Sequence, residues 1–333
     1  TTIDGRQIRA NPAQVALHGY ASEAEMLASV QDLATELYVD PRRRDEFRAT
    51  MARDGRVEDF VSEVYRHKTR ERMWMSESGW IVHDENGQPA YYEGMVIDAT
   101  ARKRAENEIA HIALHDMLTN LPNRTLFHDS LCSALTENRR GHDIAILCLD
   151  LDHFKDVNDT MGHDCGDILL RMASRRLARA VPSGGMAARF GGDEFAVLLP
   201  DLRDRDIVGQ TCRAIVESLS RPFRIRGQRV YVGVSIGIAL APTDGNDPHE
   251  LLKKADIALY RVKREGRGTF AFFDEGMTAA ILARREVEAD LRRAITNDEF
   301  RVFYQPIVDL ETGQPNGYEA LIRWQHPIKG LLP

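Results

Sequence analysis

Arg189-Phe190-Gly191-Gly192-Asp193-Glu194-Phe195 is the stretch on which the fold of this chain turns. Met186-Ala187-Ala188 precedes it and Ala196-Val197-Leu198-Leu199-Pro200 follows, so it reads as strand, tight turn, strand. Two glycines before an acid are turn chemistry, because glycine takes a positive φ without steric cost. Such a turn leaves two adjacent carboxylates at a hairpin tip. Beside them lies the bare backbone of Gly191 and Gly192, which a phosphate or a base can approach. Carboxylates supply the hard oxygen ligands that Mg²⁺ takes. A second acidic site lies upstream, where residues 143–150 form an apolar run that reads as a buried strand ending in Asp150-Leu151-Asp152. A charge at the end of a buried strand is costly unless it is paired or bound to a metal. If that strand lies beside the hairpin, Asp150 and Asp193 share one cation. The plain alternative is a pair of solvated strand-end acids and an ordinary acidic turn.

Four motifs in order carry a resemblance. Gly191-Gly192-Asp193-Glu194-Phe195 is the signature of GGDEF domains, the diguanylate cyclases. Asp150-x-Asp152-x-Phe154-Lys155-x-x-Asn158-Asp159-x-x-Gly162-His163-x-x-Gly166-Asp167 matches the same family. So do His115-Asp116-x-Leu118-Thr119-x-Leu121-Pro122-Asn123-Arg124 and Ala255-Asp256-x-Ala258-Leu259-Tyr260-x-x-Lys263-x-x-Gly266-Arg267. The resemblance covers about half of the chain and implies a palm-like fold related to nucleotidyl cyclases and polymerases.

At 333 residues the chain is long for one domain, and two or three are expected. Its 43% hydrophobic and 29% charged residues are those of a soluble globular protein. A formal net charge of −7 implies no general affinity for nucleic acid or anionic membrane. Cys132, Cys148, Cys165 and Cys212 show neither metal spacing nor CxxC and read as buried thiols of a reducing, cytoplasmic compartment. No run reaches the roughly 18 apolar residues of a membrane span. Both ends look cut, so a membrane anchor in a longer parent protein stays open.

Residues 1–100 are expected to form a small α+β sensor. A turn at Asp4-Gly5 leads to a short strand at residues 6–10. Asn11 caps a helix that Pro12 opens, and helical patterns run on through Leu37. Alternating stretches follow at residues 57–65, 70–78, 80–83 and 90–97, with a hairpin turn at Asp84-Glu85-Asn86-Gly87. The unit resembles a PAS domain through Asn11-Pro12-Ala13, Gly19-Tyr20, Tyr38-Val39-Asp40-Pro41, Val64-Tyr65-Arg66 and Tyr92-Glu93-Gly94. PAS domains bind haem, flavin or small metabolites, or only dimerise, and the ligand here is unknown. His18, His67 and His83 are expected to be surface or core-edge residues. Residues 101–117 read as a linker helix rich in Arg and Glu, either a solvated connector or a signalling helix that pairs in a homodimer.

Residues 111–274 are the expected cyclase domain. Helices are expected at residues 124–139, 164–180, 205–219 and 248–264, and strands at 143–150, 186–200, 230–241 and 269–273, giving a sheet with helices on it. Residues 275–333 resemble the opening of an EAL domain, a TIM-like barrel with phosphodiesterase activity. Here Glu319 matches a metal ligand, while Gln305 and Arg323 match early substrate contacts. With the other ligands absent, phosphodiesterase activity is not expected from this stretch.

The resemblance implies that two GTP molecules condense to cyclic di-GMP and two pyrophosphates, each domain of a homodimer holding one GTP. Asp150, Asp193 and the Leu151 carbonyl would ligate Mg²⁺ or Mn²⁺. Glu194, pointing to the other side of an alternating strand, would activate the 3′-hydroxyl or hold a second metal. Asn158 and Asp167 match the guanine-reading pair; helix capping and a turn are their alternative. Phe154 and Lys155 match a loop that wraps the phosphates with backbone N–H groups, and Gly192 offers its backbone to substrate. Lys263 and Arg267, four apart on one helix face, match the triphosphate clamp; a solvated basic stripe is the alternative. Many cyclases carry an Arg-x-x-Asp product site before the signature. Here those positions are Pro182 and Gly185, Arg203 and Asp206 lie after the signature, and no inhibitory site is expected. Gly268 stands where the family commonly has Asn. The alternative function is a GTP-binding module that controls a phosphodiesterase domain, and a third is a dimerising scaffold.

Overall fold

The computed structural model describes residues 1–30, 36–138 and 142–332, with the side chains of 280–286 left aside. It divides into two units, Thr1–Ala113 and Leu114–Pro333.

In the first unit, α1 (Pro12–Leu17) starts where Asn11 accepts from the Gln14 N–H, and α2 (Glu23–Ser29) where Ser22 accepts from Glu25. Next, α3 (Arg42–Asp54) buries Arg44, Phe47 and Met51 and ends on Gly55 at φ 71°. Three antiparallel strands follow in order, β1 (Arg56–Tyr65), β2 (Arg72–His83) and β3 (Pro89–Asp98), and then α4 (Thr100–Leu114). Three points depart from expectation. Residues 6–10 are not a strand: the single bridge here, between Thr2 and Tyr91, lies before the turn at Gly5. Residues 70–78 and 80–83 are one strand, because Gly79 pairs with Gly94 where a Cβ would meet backbone. The helix α3 was not foreseen, although Gly55 marks its end. The expected helical continuation through residues 31–35, and residue 139 at the end of the next helix, lie outside the described residues.

The second unit is built on β4 (Asp143–Asp152). Its run is apolar on both faces because both are covered. Each wholly buried leucine among Leu147, Leu149 and Leu151 contributes about 1.5–3 kcal/mol. Before it comes α5 (Arg124–Glu137), capped by Asn123. After it come α6 (Phe154–Met161), α7 (His163–Ala180), β5 (Met186–Gly191), β6 (Glu194–Leu202) and α8 (Asp206–Ser220). A small hairpin, β7 (Phe223–Ile225) and β8 (Gln228–Val230), precedes β9 (Gly233–Ala241), α9 (Pro248–Glu265) and β10 (Phe270–Phe272). The sheet order is β10-β9-β4-β6-β5, antiparallel except for β10 beside β9.

Alternation along β4 separates two cores. Ala145, Leu147, Leu149 and Leu151 pack with α7 and α8 residues such as Leu169, Leu177 and Ile215. Ile144, Ile146 and Cys148 pack with α5 and α9 residues such as Phe127, Leu131, Ala255 and Leu259. On that second face α9 lies directly on the sheet. A Cβ at Gly237 would sit 2.1 Å from the Ala255 oxygen and the Leu259 nitrogen. Residues 255, 259 and 263 share a helix face, so this close seating carries Lys263 to the end of β4.

The chain continues in α10 (Glu275–Thr296), β11 (Phe300–Val308), β12 (Pro315–His326) and β13 (Gly330–Leu332), the three strands forming an antiparallel sheet. Buried Trp324 donates from Nε1 to Glu299 at 3.0 Å.

Candidate functional site

The second unit gathers its acids at one end of the sheet. Asp150 stands opposite Glu194 on β6 and Ser235 on β9, so these three side chains share the face on which α5 and α9 pack. The Leu151 N–H donates to the Asp193 carbonyl at 3.3 Å, which ties the hairpin tip to the acidic strand. Gly192 and Asp193 are the two turn residues, and Gly192 sits at φ 50°. Asp193 is therefore off the strand, and strand alternation does not place Glu194 opposite to it. Glu194, exposed, belongs to the same face as Asp150.

The hairpin is clamped from behind. Arg189, 9% exposed, donates from Nη1 to both Asp116 carboxylate oxygens at 2.8 Å and from Nη2 to the Gly192 carbonyl at 2.8 Å. Burial works against the Asp116 carboxylate, yet bonds from Thr119 and Arg189 hold its carboxyl below the usual range. Arg189 lies within the decisive stretch, but nothing in its type or spacing announces Asp116 as its partner.

Asp150 is 9% exposed, and Lys263 Nζ stands 2.6 Å from its Oδ2. Burial pushes the Asp150 carboxyl up; Lys263 opposes this, and the neighbouring charges of Asp193 and Asp152 add to it. Negative charge thus exceeds its one close counter-ion. Asp152 plays a different part: its carboxylate accepts from Ser235 Oγ at 2.7 Å and from the Gly268 N–H at 3.1 Å. It fastens the segment after α9 to the sheet.

Lys263 and Arg267 do not share a helix face. α9 ends at Glu265, Gly266 takes φ 135°, and Arg267 follows in the left-handed region at φ 62°. The turn still brings both bases to the acidic end, with Arg267 Nε 4.0 Å from Asp152 Oδ1.

Phe154 and Lys155 open a helix rather than a loop, because His153 takes φ 63° and turns the chain directly from β4 into α6. Phe154 is buried and Lys155 exposed. Their N–H groups lie in the first turn, free of the helix ladder. Asn158, on α6, faces Gly166 on α7: a Cβ at Gly166 would stand 1.9 Å from Asn158 Oδ1. That oxygen is buried with no hydrogen-bond partner among the described residues, while Asp167, next to Gly166 in sequence, is exposed.

The acids fit a divalent cation that also takes ligands from a bound phosphate. Among the described residues no cluster of three or more His, Cys, Asp or Glu side chains could hold a metal alone. Asp150 and Asp193 are two carboxylates, the number Mg²⁺ commonly uses when substrate oxygens and water complete its shell.

In the last sheet, Gln305 and Glu319 are directly opposite each other, and Arg323 lies four residues further along the same strand face. Pro182 and Gly185, at the positions of the family's Arg-x-x-Asp, lie in the turn between α7 and β5, where Gly185 donates to the Pro182 carbonyl. Among the described residues no helix is long and apolar enough to cross a membrane.

Residues 113–269 match the family described as diguanylate cyclase, GGDEF domain, and residues 288–333 match the EAL domain. A signaling protein of Caulobacter vibrioides is 41% identical over 240 residues, 72% of this chain and 30% of that protein. The bifunctional diguanylate cyclase/cyclic di-GMP phosphodiesterase MucR of Pseudomonas aeruginosa is 41% identical over 235 residues, 70% of this chain and 34% of that protein. The chain therefore spans about a third of the length of these curated relatives. A structure of the GGDEF domain of TpbB (YfiN) from Pseudomonas aeruginosa is 36% identical, covering 50% of this chain and 99% of that one with a TM-score of 0.49.

Proposed function

This chain carries a GGDEF domain followed by a segment of an EAL domain, and from that premise we propose that it is a diguanylate cyclase. It condenses two molecules of GTP to cyclic di-GMP and two pyrophosphates. In each half-reaction the 3′-oxygen of one GTP forms a bond to the α-phosphorus of the other. The bond from that phosphorus to the β-phosphate bridge oxygen breaks, and pyrophosphate leaves. Each GGDEF domain holds one GTP, so the ring closes only in a homodimer.

The observation that carries this reading is the convergence of Asp150, Asp193 and Glu194 at one sheet end, with Lys263 against Asp150. Asp150, Asp193 and the Leu151 carbonyl would hold Mg²⁺ or Mn²⁺. That ion would neutralise phosphate charge and polarise the α-phosphate. With a cation held there, Lys263 would be free of Asp150 and could offer its ammonium to the triphosphate beside Arg267. The first-turn N–H groups of α6 at Phe154 and Lys155 receive phosphate oxygens, and the bare backbone of Gly192 lets the nucleotide come close. Asn158 and Asp167 read the guanine edge, whose donors and acceptor suit an amide and a carboxylate. Glu194 shares the face of Asp150 and takes the proton of the attacking 3′-hydroxyl.

The helices and antiparallel meander of the first unit support a PAS-type sensor, with α4 as the element that carries its signal. A GTP-binding module that controls a phosphodiesterase is the second reading, favoured by the EAL match. Incubation with GTP and Mg²⁺ separates the two. The cyclase reading expects cyclic di-GMP that disappears in Glu194→Gln while GTP still binds. Bound but unconverted GTP in the unaltered chain would replace it with the second reading. Turnover in dilute solution is expected to rise faster than linearly with protein; strict linearity across the dissociation range would overturn the dimer.

A further inference from the structure

The first unit has a half-open pocket of about 680 Å³ lined by its first residues, α1, α3 and the strands β2 and β3. That volume is in the range of small-molecule sites, roughly 300–1,000 Å³. Its walls are apolar at Phe47, Met51 and Met75 and polar at His18, Arg44 and Glu77.

Arg44 is the unusual member. It is 4% exposed and acts on the nearby Tyr38 hydroxyl and Glu77 carboxylate, yet among the described residues no carboxylate lies within ion-pair distance of it and its Nη2 has no hydrogen-bond partner. Its guanidinium lies 4.9 Å from the Phe47 ring centre, which fixes the fork in place. A buried guanidinium N–H without an acceptor is costly. His18 is 2% exposed, and its Nδ1 also lacks a partner. It was expected at the surface or core edge; instead it is buried at the C-terminal end of α1. Burial, with help from His67 and Arg66, pushes the His18 imidazole down to about 4. It is neutral near pH 7 and supplies a hydrogen bond rather than charge. Glu77 is engaged by the Tyr38 hydroxyl, which donates to it.

We propose that this pocket binds a small organic monocarboxylate, its carboxylate on the unpartnered edge of Arg44 and its apolar body among Phe47, Met51 and Met75. A planar guanidinium matches a carboxylate with two parallel bonds. A phosphate is disfavoured because Glu77 and Glu93 line the same cavity and would repel a dianion. The site stands apart from the cyclase reading, since it lies wholly within residues 1–96 and needs no GTP.

Ligand-observed saturation-transfer NMR on the whole chain tests it, with hexanoate, 3-phenylpropionate and indole-3-acetate each compared with its own primary amide. The acids are expected to saturate at least tenfold below their amides. Arg44→Met should abolish that preference. Ile8→Trp, at a half-exposed residue of the cavity wall, should weaken all the acids while leaving Arg44 in place. Circular dichroism melts report whether each variant folds. If Arg44→Met does not fold, the acid–amide comparison and Ile8→Trp decide. Equal binding of acids and amides, no binding of any acid, or unchanged acid binding in a folded Arg44→Met would overturn the proposal.

Discussion

Replacing Gly166 by alanine should separate the stability of the cyclase domain from its grip on guanine. Gly166 lies in the first turn of α7, and an added Cβ would stand 1.9 Å from Asn158 Oδ1 and 3.2 Å from Phe154 Cζ. The first contact is with the end of a movable amide, so the fold yields there by turning Asn158 aside. Asn158 Oδ1 has no hydrogen-bond partner among the described residues, so moving it breaks no bond within the protein. Alanine in place of glycine favours a helix by about 1 kcal/mol, which offsets the crowding of Phe154. The melting temperature is therefore expected to move by only a few degrees. If Asn158 makes two hydrogen bonds to the base, their loss costs about 1–3 kcal/mol, roughly a five- to 150-fold weakening. Calorimetric titration with 3′-deoxy-GTP, which cannot cyclise, measures this directly. Affinity within twofold of the unaltered chain, in a variant that still folds, would refute the assignment of Asn158 and the geometry behind it.

Lys263→Met leaves Asp150 without its close counter-ion, and a loss of about 1–3 kcal/mol is expected for a partly buried pair. Because Mg²⁺ no longer has to displace an ammonium, added Mg²⁺ should raise the melting temperature of this variant more than that of the parent; an equal rise in both would speak against a cation at Asp150. Asp116→Asn should cost about 2–3 kcal/mol and loosen the hairpin, since Arg189 is buried and loses a two-pronged partner. The folded Asp116 carboxyl is held below its unfolded value, so its contribution is present above the usual carboxylate range and fades as pH falls below it; chemical denaturation of parent and variant should converge at low pH. His18, folded at about 4 against 6.5 in the free residue, takes up its proton first in the unfolded chain. Stability of the first unit should therefore fall by up to about 3 kcal/mol as pH drops from 6.5 to 4. Tryptophan fluorescence from Trp74 and Trp80 follows it, and an equally steep fall in His18→Gln would sink this account.

Much of the fold was legible in the residues themselves. The apolar run before Asp150, the glycine turn at Gly191-Gly192 and the cap at Asn11 are local features, set by burial, positive φ and helix-end hydrogen bonds. The motif spacing also named the acids and bases that meet at the sheet end. Other features depend on residues far apart in sequence. Arg189 finds Asp116, Ser235 and Gly268 secure Asp152, and Lys263 reaches Asp150 only because Gly237 lets α9 sit on the sheet. Glu194 shares a face with Asp150 because of strand register, which alternation along one strand cannot reveal. The unpartnered Nη2 of Arg44 is likewise invisible in a run of three arginines; which of them is buried is decided by where α3 meets the meander. Local chemistry thus determined the elements and the kinds of side chain they offer. Packing alone decided which of those side chains share a dry, crowded space, and it is there that charge acquires its partners.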